Sequence, residues 1–277
     1  MVLHLVEDAK RRAFIRLTKR SAPYLMEFIG TFFLTLTVEL CNGNALNGVS
    51  AGSLAPFAIG WMLSVLVYSG GRISGGHFNP AVTFSVLCSG QQSDMTVTKF
   101  VFYLIVQTLG GIAGAISGYG MNLKKNIQPG YINEGMTRAD HVAFGAELCY
   151  TFALCFVVLN CAVSKTQIKD NSFFGFCIGT TVLVGAITVG DLSGGVFNPA
   201  VATGLFLSNA AAGGPKMDEW YIYYTAEFFA AFLAACVFCV TNGEEYGDDL
   251  GPKIEIKSSS NATGEDTNPM QRKLLGS

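Results

Sequence analysis

The chain has 277 residues, of which 50% are hydrophobic and only 14% are charged, and its mean hydropathy is +0.39. Soluble domains carry about 25% charged residues, so this composition excludes an ordinary soluble protein and indicates a polytopic membrane protein. The net charge of −2 is uninformative by itself, and we expect no nucleic-acid partner.

The first feature along the chain is a basic segment, residues 1–21, directly before the first apolar stretch. It is too long for a cleavable signal peptide, and the apolar stretch after it is a full span. All but four of the 18 Lys and Arg residues fall in tails and loops that we place on one side of the membrane. By the positive-inside rule, both termini are then cytosolic. The four exceptions are Lys124, Lys125, Arg138 and Lys216.

Six apolar stretches are near the ~20 residues that a helix needs to cross the hydrocarbon core. Two further apolar stretches, 79–88 and 198–207, have half that length. They are too short to cross and too apolar for ordinary loops, which predicts re-entrant half-helices. The predicted spans are 22–41, 52–70, 97–119, 142–163, 173–189 and 220–240.

An internal repeat relates the two halves of the apolar chain, about 22–120 and 141–241. The sequence Ser-Gly-Gly-His-Phe-Asn-Pro-Ala-Val at 74–82 returns 119 residues later with one change, Val for His. Each half holds three spans and one half-helix, and because three is odd the halves lie in opposite orientation. The sequence therefore predicts an all-α membrane protein with two inverted repeats, a channel domain over 22–241 and a mostly disordered cytosolic tail over 242–277.

The repeated Asn-Pro-Ala tripeptide is a helix-start signal, since Asn is a good N-cap and Pro suits the first helical position. Half-helices entering from opposite faces would bring their positive ends together near the bilayer midplane. Asparagine amides there would offer N–H donors to a passing oxygen, while the dipoles would repel cations. The six residues are Asn79, Pro80, Ala81, Asn198, Pro199 and Ala200.

Glutamates inside the spans repeat as well. Glu27 and Glu147 lie 120 residues apart, and a carboxylate in lipid needs a partner. Loops that dip into the membrane have backbone N–H groups without helix partners, so we expect one glutamate to brace each loop; a proton relay is the alternative. Gln107 and Glu227 form a second repeat-related pair that we expect to brace the fold. Glu39, near the far end of its span, is expected to reach the interface.

Gly60 and Gly179 occupy equivalent positions in the second and fifth spans. Glycine there predicts a close helix crossing, although incidental glycine in a chain with 32 of them is the alternative. The eight cysteines show no metal-ligand spacing and are interpreted as small buried apolar residues. We predict no metal and no cofactor.

Taken together, these motifs resemble the aquaporin (major intrinsic protein) family over roughly residues 22–241. The resemblance implies six tilted helices and two half-helices around one pore per subunit, in a homotetramer with four independent pores. It also implies that Asp191 shapes the outer loop and that His77 lies on the cytosolic approach to the pore. We group both with Glu27 and Glu147 as loop-bracing residues, with pH gating by His77 as an alternative.

Family members narrow at a second filter, which the resemblance places at Ile59, Ala186, Gly195 and Val201. Water-selective members generally carry an arginine at the last of these positions, and often an aromatic residue and a histidine at the first two. This chain departs from that pattern, which implies a wider and less polar constriction. The departure predicts passage of water together with ammonia, hydrogen peroxide, urea or glycerol.

Other positions point toward a water-type member. Ala202 stands where glycerol-conducting members usually have an aspartate, and Tyr223 and Tyr224 stand where those members tend to lack aromatics. The leading hypothesis is thus a passive channel for water and small neutral solutes. Two alternatives stay open: a neutral-solute facilitator with little water selectivity, and an ion-coupled transporter with inverted repeats, which would need an ionisable residue near the midplane. With three histidines, no Ser-His-Asp set and no HExxH motif, the chain is not expected to be an enzyme.

Overall fold

The computed structural model describes residues 2–42, 54–123, 140–165, 171–213 and 220–247 of the chain. All regular secondary structure in these ranges is helical, and five of the helices are long and apolar enough to cross a membrane. The helices are α1 (Val2–Asn42), α2 (Ala55–Ser74), α3 (Pro80–Ser89), α4 (Val97–Leu123), α5 (Asp140–Val158), α6 (Phe174–Ser193), α7 (Pro199–Ala211) and α8 (Trp220–Thr241). Lys124, Lys125, Arg138, Lys216 and most of the predicted tail, 248–277, lie outside the described residues.

Helix boundaries agree closely with the sequence pattern, with three informative differences. The basic N-terminal segment continues the first span, because α1 begins at Val2. The second half-helix, α7, ends at Ala211 rather than at 207, so it has 13 residues against the 10 of α3. The end of α5 widens into a π-helical turn, Leu159–Val163.

Helix α2 has 20 residues but is outside the group of five. Its last two turns contain Ser69, Gly70, Gly71 and Arg72, which lower its mean hydropathy. Its repeat counterpart α6, of the same length, is within the group. Position in the repeat, rather than composition alone, therefore identifies α2 as the sixth span.

Each half-helix packs mainly against helices of the opposite half. Within each half the first span packs on the third, α1 on α4 and α5 on α8. The half-helix α3, however, packs on α8 of the other half, and α7 packs correspondingly on α4. Each half-helix is thus held mainly by the opposite repeat, which fixes the position of its N-terminus relative to both halves.

Helices α2 and α6, which are equivalent in the repeat, cross at Gly60 and Gly179. A Cβ atom added to Gly60 would lie 2.7 Å from the Gly179 carbonyl oxygen. One added to Gly179 would overlap the Gly60 carbonyl and the Ser64 hydroxyl. The backbones meet without intervening side chains, as at other membrane helix crossings with small residues.

Substituting Gly179 by alanine should destabilise this crossing by about 1–3 kcal/mol, because the methyl group meets backbone atoms that cannot move aside. The melting temperature in detergent measures the effect, at roughly 2–4 °C per kcal/mol for a chain of this size. Gly190→Ala on the same helix is the control, because a Cβ there meets nothing within 4 Å. Equal melting temperatures for the two variants would contradict the close crossing.

After α8 the chain forms a short 3₁₀ turn, Gly243–Tyr246, which we call the C-terminal latch. The Glu245 carboxylate accepts hydrogen bonds from the Ser164 hydroxyl and, at 3.0 Å, from the backbone N–H of Lys165. Both donors follow the π-helical turn of α5. The first residues of the predicted tail are therefore bound to the segment that follows α5, the first span of the second half.

The latch also reaches the first half-helix. The Tyr246 hydroxyl donates to the Ser89 carbonyl at 2.7 Å, and the Cys239 thiol donates to Tyr246 at 3.1 Å. Burial, helped by Cys239, raises the pKa of Tyr246 to about 12, so the phenol remains a donor at physiological pH. Just before the turn, the Asn242 amide donates to the Asn160 side chain at 3.2 Å. The end of α8 is consequently tied to α3 and α5 together.

Candidate functional site

Both half-helices begin with the same cap. The Asn79 Oδ1 atom accepts hydrogen bonds from the backbone N–H groups of Ala81 at 2.9 Å and Val82 at 3.4 Å. Asn198 does the same for Ala200 at 3.0 Å and Val201 at 3.4 Å. Proline follows each cap as the first helical residue. The side-chain oxygens are thus used within their own helices.

The amide nitrogens of the two caps bond across the repeat. Asn79 Nδ2 donates to the Phe197 carbonyl at 2.7 Å, and Asn198 Nδ2 donates to the Phe78 carbonyl at 2.8 Å. These reciprocal bonds bring the two helix starts together from opposite halves. An asparagine amide has two N–H groups, so each asparagine has a second donor beyond its bond to phenylalanine.

Phe78 and Phe197 adopt an unusual backbone conformation, with φ of 48° and 52°. Positive φ is uncommon for a bulky residue and requires support from its surroundings. The rings are fully buried, and Phe78 occupies space left by glycines: a Cβ on Gly70 would lie 2.7 Å from its ring, and one on Gly30 would overlap it. Gly185 makes the same kind of room for Phe197.

Glu27 of α1 is fully buried and holds the first re-entrant loop. One carboxylate oxygen accepts from the Ser74 hydroxyl at 2.6 Å and from the His77 N–H at 3.0 Å. The other accepts from the Phe78 N–H at 2.6 Å and from the Gln107 amide at 2.8 Å. Four donors therefore surround this carboxylate.

Glu147 of α5 holds the second loop with the same geometry and is also fully buried. It accepts from the Ser193 hydroxyl at 2.6 Å, from the Val196 N–H at 3.0 Å and from the Phe197 N–H at 2.8 Å. The strained phenylalanines are thus fixed at three points: the ring by glycine, the N–H by glutamate and the carbonyl by the opposite asparagine.

Two tyrosines, which the sequence analysis did not recognise as a repeat-related pair, complete this framework. The Tyr103 hydroxyl donates to the Ser74 carbonyl at 2.7 Å, and that of Tyr223 donates to Ser193 at 2.6 Å. Their spacing was the available signal: Ser74 and Ser193, like Phe78 and Phe197, are 119 residues apart, and Tyr103 and Tyr223 are 120 apart.

His77 of the first loop has no histidine counterpart, because Val196 occupies the equivalent position in the second loop. Its Nδ1 atom lies 3.1 Å from the Thr83 hydroxyl, and its ring packs edge-on against Tyr103. Gln107 donates to the same hydroxyl at 2.9 Å. The first loop therefore contains a polar network that the second loop lacks.

The four predicted filter positions lie on four elements: three helices and the second re-entrant loop. Gly195, in the second loop, is close to Ala186 of α6: a Cβ on Gly195 would lie 3.3 Å from the Ala186 Cα atom. Val201 is in the first turn of α7 and is 2% exposed, and Ile59 precedes the α2–α6 crossing and is partly buried. The structure thus brings Ala186 and Gly195 together, with small groups at their contact.

The sequence analysis gave expectations for two further acidic residues, Asp191 and Glu39. Asp191 is exposed in the last turn of α6 and has no hydrogen bond or ion pair among the described residues, so no contact supports its predicted bracing role. Glu39, expected at the interface, is fully buried and accepts a hydrogen bond from Ser208 at 3.1 Å, because α7 is long enough to cover it.

The described ranges contain no group of three or more His, Cys, Asp or Glu side chains that could hold a metal ion. The donors and dipoles of the helix starts instead favour the oxygen atom of a neutral molecule over a cation. Helices of spanning length, joined to two half-helices that meet through reciprocal hydrogen bonds, define a channel fold with inverted repeats.

The chain belongs to the major intrinsic protein family, whose model matches residues 15–238. It is 32% identical over 228 residues to a glycerol uptake facilitator protein-like 6 of Lactiplantibacillus plantarum, covering 78% of this chain and 95% of that protein. It is 30% identical to aquaporin PIP1-2 of Musa acuminata subsp. malaccensis, covering 76% of this chain and 75% of the relative. The resemblance inferred from the repeated motifs is confirmed, and the family is one of channels rather than enzymes.

The fold is similar to that of a solved aquaglyceroporin from Plasmodium falciparum, with a TM-score of 0.68. The similarity covers 81% of this chain and 98% of that structure at 21% sequence identity. The predicted fold class, an all-α membrane protein with aquaporin-like architecture, is therefore confirmed.

Proposed function

We propose that this chain forms a passive channel for water and small neutral solutes, among them ammonia, hydrogen peroxide, urea and glycerol, and that it excludes protons and ions. The reciprocal bonds between each asparagine and the opposite phenylalanine carbonyl carry the proposal. They hold two helix N-termini at one point, with a further amide N–H on each asparagine for a passing oxygen.

Charge exclusion follows from the electrostatics of that point. Each helix N-terminus carries roughly +0.5 of an elementary charge, and two of them raise the energy of a cation passing between. A water molecule that accepts hydrogen bonds from both asparagines turns its hydrogens away, which interrupts a proton relay. Asn79 and Asn198 are then the central pore residues, held in place by Glu27 and Glu147.

The solute range follows from the second constriction. Ile59, Ala186, Gly195 and Val201 provide no fixed charge and little bulk, so we expect passage of solutes larger than water. Relatives named as a glycerol uptake facilitator and as aquaporins are similarly close in sequence, so the residues of the filter, rather than kinship, are the basis of this proposal.

Purified protein in vesicles tests the proposal by stopped-flow light scattering. In a salt gradient we expect the vesicles to shrink fast and stay shrunken. In a gradient of urea or glycerol we expect them to shrink and then re-swell as the solute enters. All of these rates should be independent of proton and sodium gradients. Empty vesicles provide the baseline. Water flux without solute uptake would contradict the wide filter, solute uptake with slow water flux would favour the neutral-solute facilitator, and gradient-driven accumulation would favour an ion-coupled transporter.

We further propose that the channel is a homotetramer with a separate pore in each subunit and with both termini in the cytosol. The family resemblance supports the first statement and the distribution of Lys and Arg supports the second. Native mass spectrometry of the detergent-solubilised protein and accessibility of terminal tags in intact cells measure them. A monomeric mass, or an external tag, would contradict the respective statement.

A further inference from the structure

One position breaks the symmetry of the two loop supports. Each donor to Glu27 from the loop has an equivalent at Glu147: a serine hydroxyl and two successive backbone N–H groups. The fourth donor to Glu27 is the amide of Gln107 on α4. In the second half, the residue 120 positions later on α8 is Glu227, whose ionised form has no proton to donate.

Glu227 is fully buried where α8 packs against α5. Its carboxyl group interacts electrostatically with Glu147, and the backbone amide of Asn198 is close enough to affect it. Neither carboxyl oxygen has a hydrogen bond of normal geometry among the described residues. A fully buried acid therefore occupies the position equivalent to that of Gln107, close enough to interact with a second buried acid and with the Asn198 backbone amide.

The surrounding elements offer no positive charge to balance it. From α5 it interacts with Glu147 and the Cys155 thiol, and from α8 itself with the Tyr224 phenol. The half-helices α3 and α7 contain no Lys, Arg, His, Asp or Glu. An isolated buried carboxylate is very costly, and two adjacent carboxyl groups do not both ionise. Glu147, with three donors, is the one suited to hold the charge.

We propose that Glu227 carries a proton in the working channel and acts, as a neutral acid, as the positioning residue for the second half-helix. The acid O–H supplies the donor on the Glu147 side, and the carbonyl oxygen faces the Asn198 amide. Gln107 donates a hydrogen bond to Glu27 in the same way in the first half. The inference rests on the proposed channel function only for its permeability measurements.

Alkaline conditions should then weaken the support of the second re-entrant loop and lower the water permeability. Hydroxide removes the proton from Glu227 to form water, which leaves two interacting carboxylates near the Asn198 backbone amide. Their repulsion loosens the loop through Phe197, whose carbonyl accepts the bond from Asn79. Water permeability of the wild type should fall as the pH is raised from neutral to about 10.

The test compares wild type with Glu227→Gln, which places an amide where Gln107 has one. The wild-type minus variant infrared spectrum should contain the carbonyl stretch of one neutral carboxylic acid at neutral pH. The variant should lose the alkaline fall in permeability. It should also melt roughly 2–4 °C higher at neutral pH, by a margin that widens with pH, since folding of the wild type then requires proton uptake.

Two controls make the comparison specific. Cys236→Ala, on an exposed side of α8, should keep the wild-type spectrum and pH profile. Gln107→Glu should add a second neutral-acid band and make the first half sensitive to alkali. Absence of a neutral-acid band, or an unchanged alkaline fall in Glu227→Gln, would overturn the proposal. The spectrum and the melting temperature decide it even if no variant conducts water, a result that would refute only the channel function.

Discussion

We expect the replacement of Glu147 by alanine to abolish the proposed water permeability and to lower the melting temperature by many degrees. The change leaves one hydroxyl and two backbone N–H groups buried without acceptors, and each such group costs about 1–3 kcal/mol. The sum is a large share of the 5–15 kcal/mol by which proteins are typically stable. Phe197, whose strained backbone depends on this carboxylate, can then relax. Stopped-flow permeability and thermal unfolding of the same preparation measure both effects.

Two variants calibrate this result. Glu147→Gln keeps the shape and one acceptor oxygen, so it should retain a measurable fraction of the permeability. Glu244→Ala removes an exposed carboxylate and should change neither quantity. Permeability of Glu147→Ala equal to that of the wild type would show that the second loop holds its geometry without the glutamate.

If the proposed filter is correct, substituting Val201 by arginine should give a channel that passes water but rejects urea and glycerol. The guanidinium adds a fixed charge, five donors and bulk at the first turn of α7. A fall of about tenfold in glycerol flux needs only ~1.4 kcal/mol of added barrier. Uptake of each solute into vesicles, divided by the water permeability of the same vesicles, gives the selectivity.

Val201→Met separates size from charge, because it adds bulk without donors and should lower solute flux less. The melting temperature is a second readout. Val201 is 2% exposed, so an arginine there is tolerated only where its head reaches a water-filled passage. An unchanged solute profile, or a protein that no longer folds, would show that Val201 does not line the filter.

The spacing of the repeat made most of the architecture predictable. Span length and alternation identified the helices, and the matched tripeptides identified both half-helices. The carboxylate partners followed from chemistry, since re-entrant loops have unpaired N–H groups and only Glu27 and Glu147 recur at equivalent depth. These predictions were possible because each depends either on local sequence or on the constant spacing between the two repeats.

Contacts between the halves were beyond such reasoning. The bonds from Asn79 and Asn198 to the opposite phenylalanine carbonyls depend on how two distant segments are docked, and nothing in either segment encodes that geometry. The C-terminal latch is hidden for the same reason, because Glu245 and Tyr246 have partners some 80 and 157 residues away. Glu39 was misplaced because the length of α7, which covers it, was underestimated.

The packing of α3 on a helix of the opposite half has a consequence for biosynthesis. The chain is made from the N-terminus, so α3 is complete long before α8, the helix on which it docks, leaves the ribosome. Until then α3 can pack against α4 of its own half but not against α8. Docking of the complete half-helix α3 is therefore a late step of folding that awaits the last span.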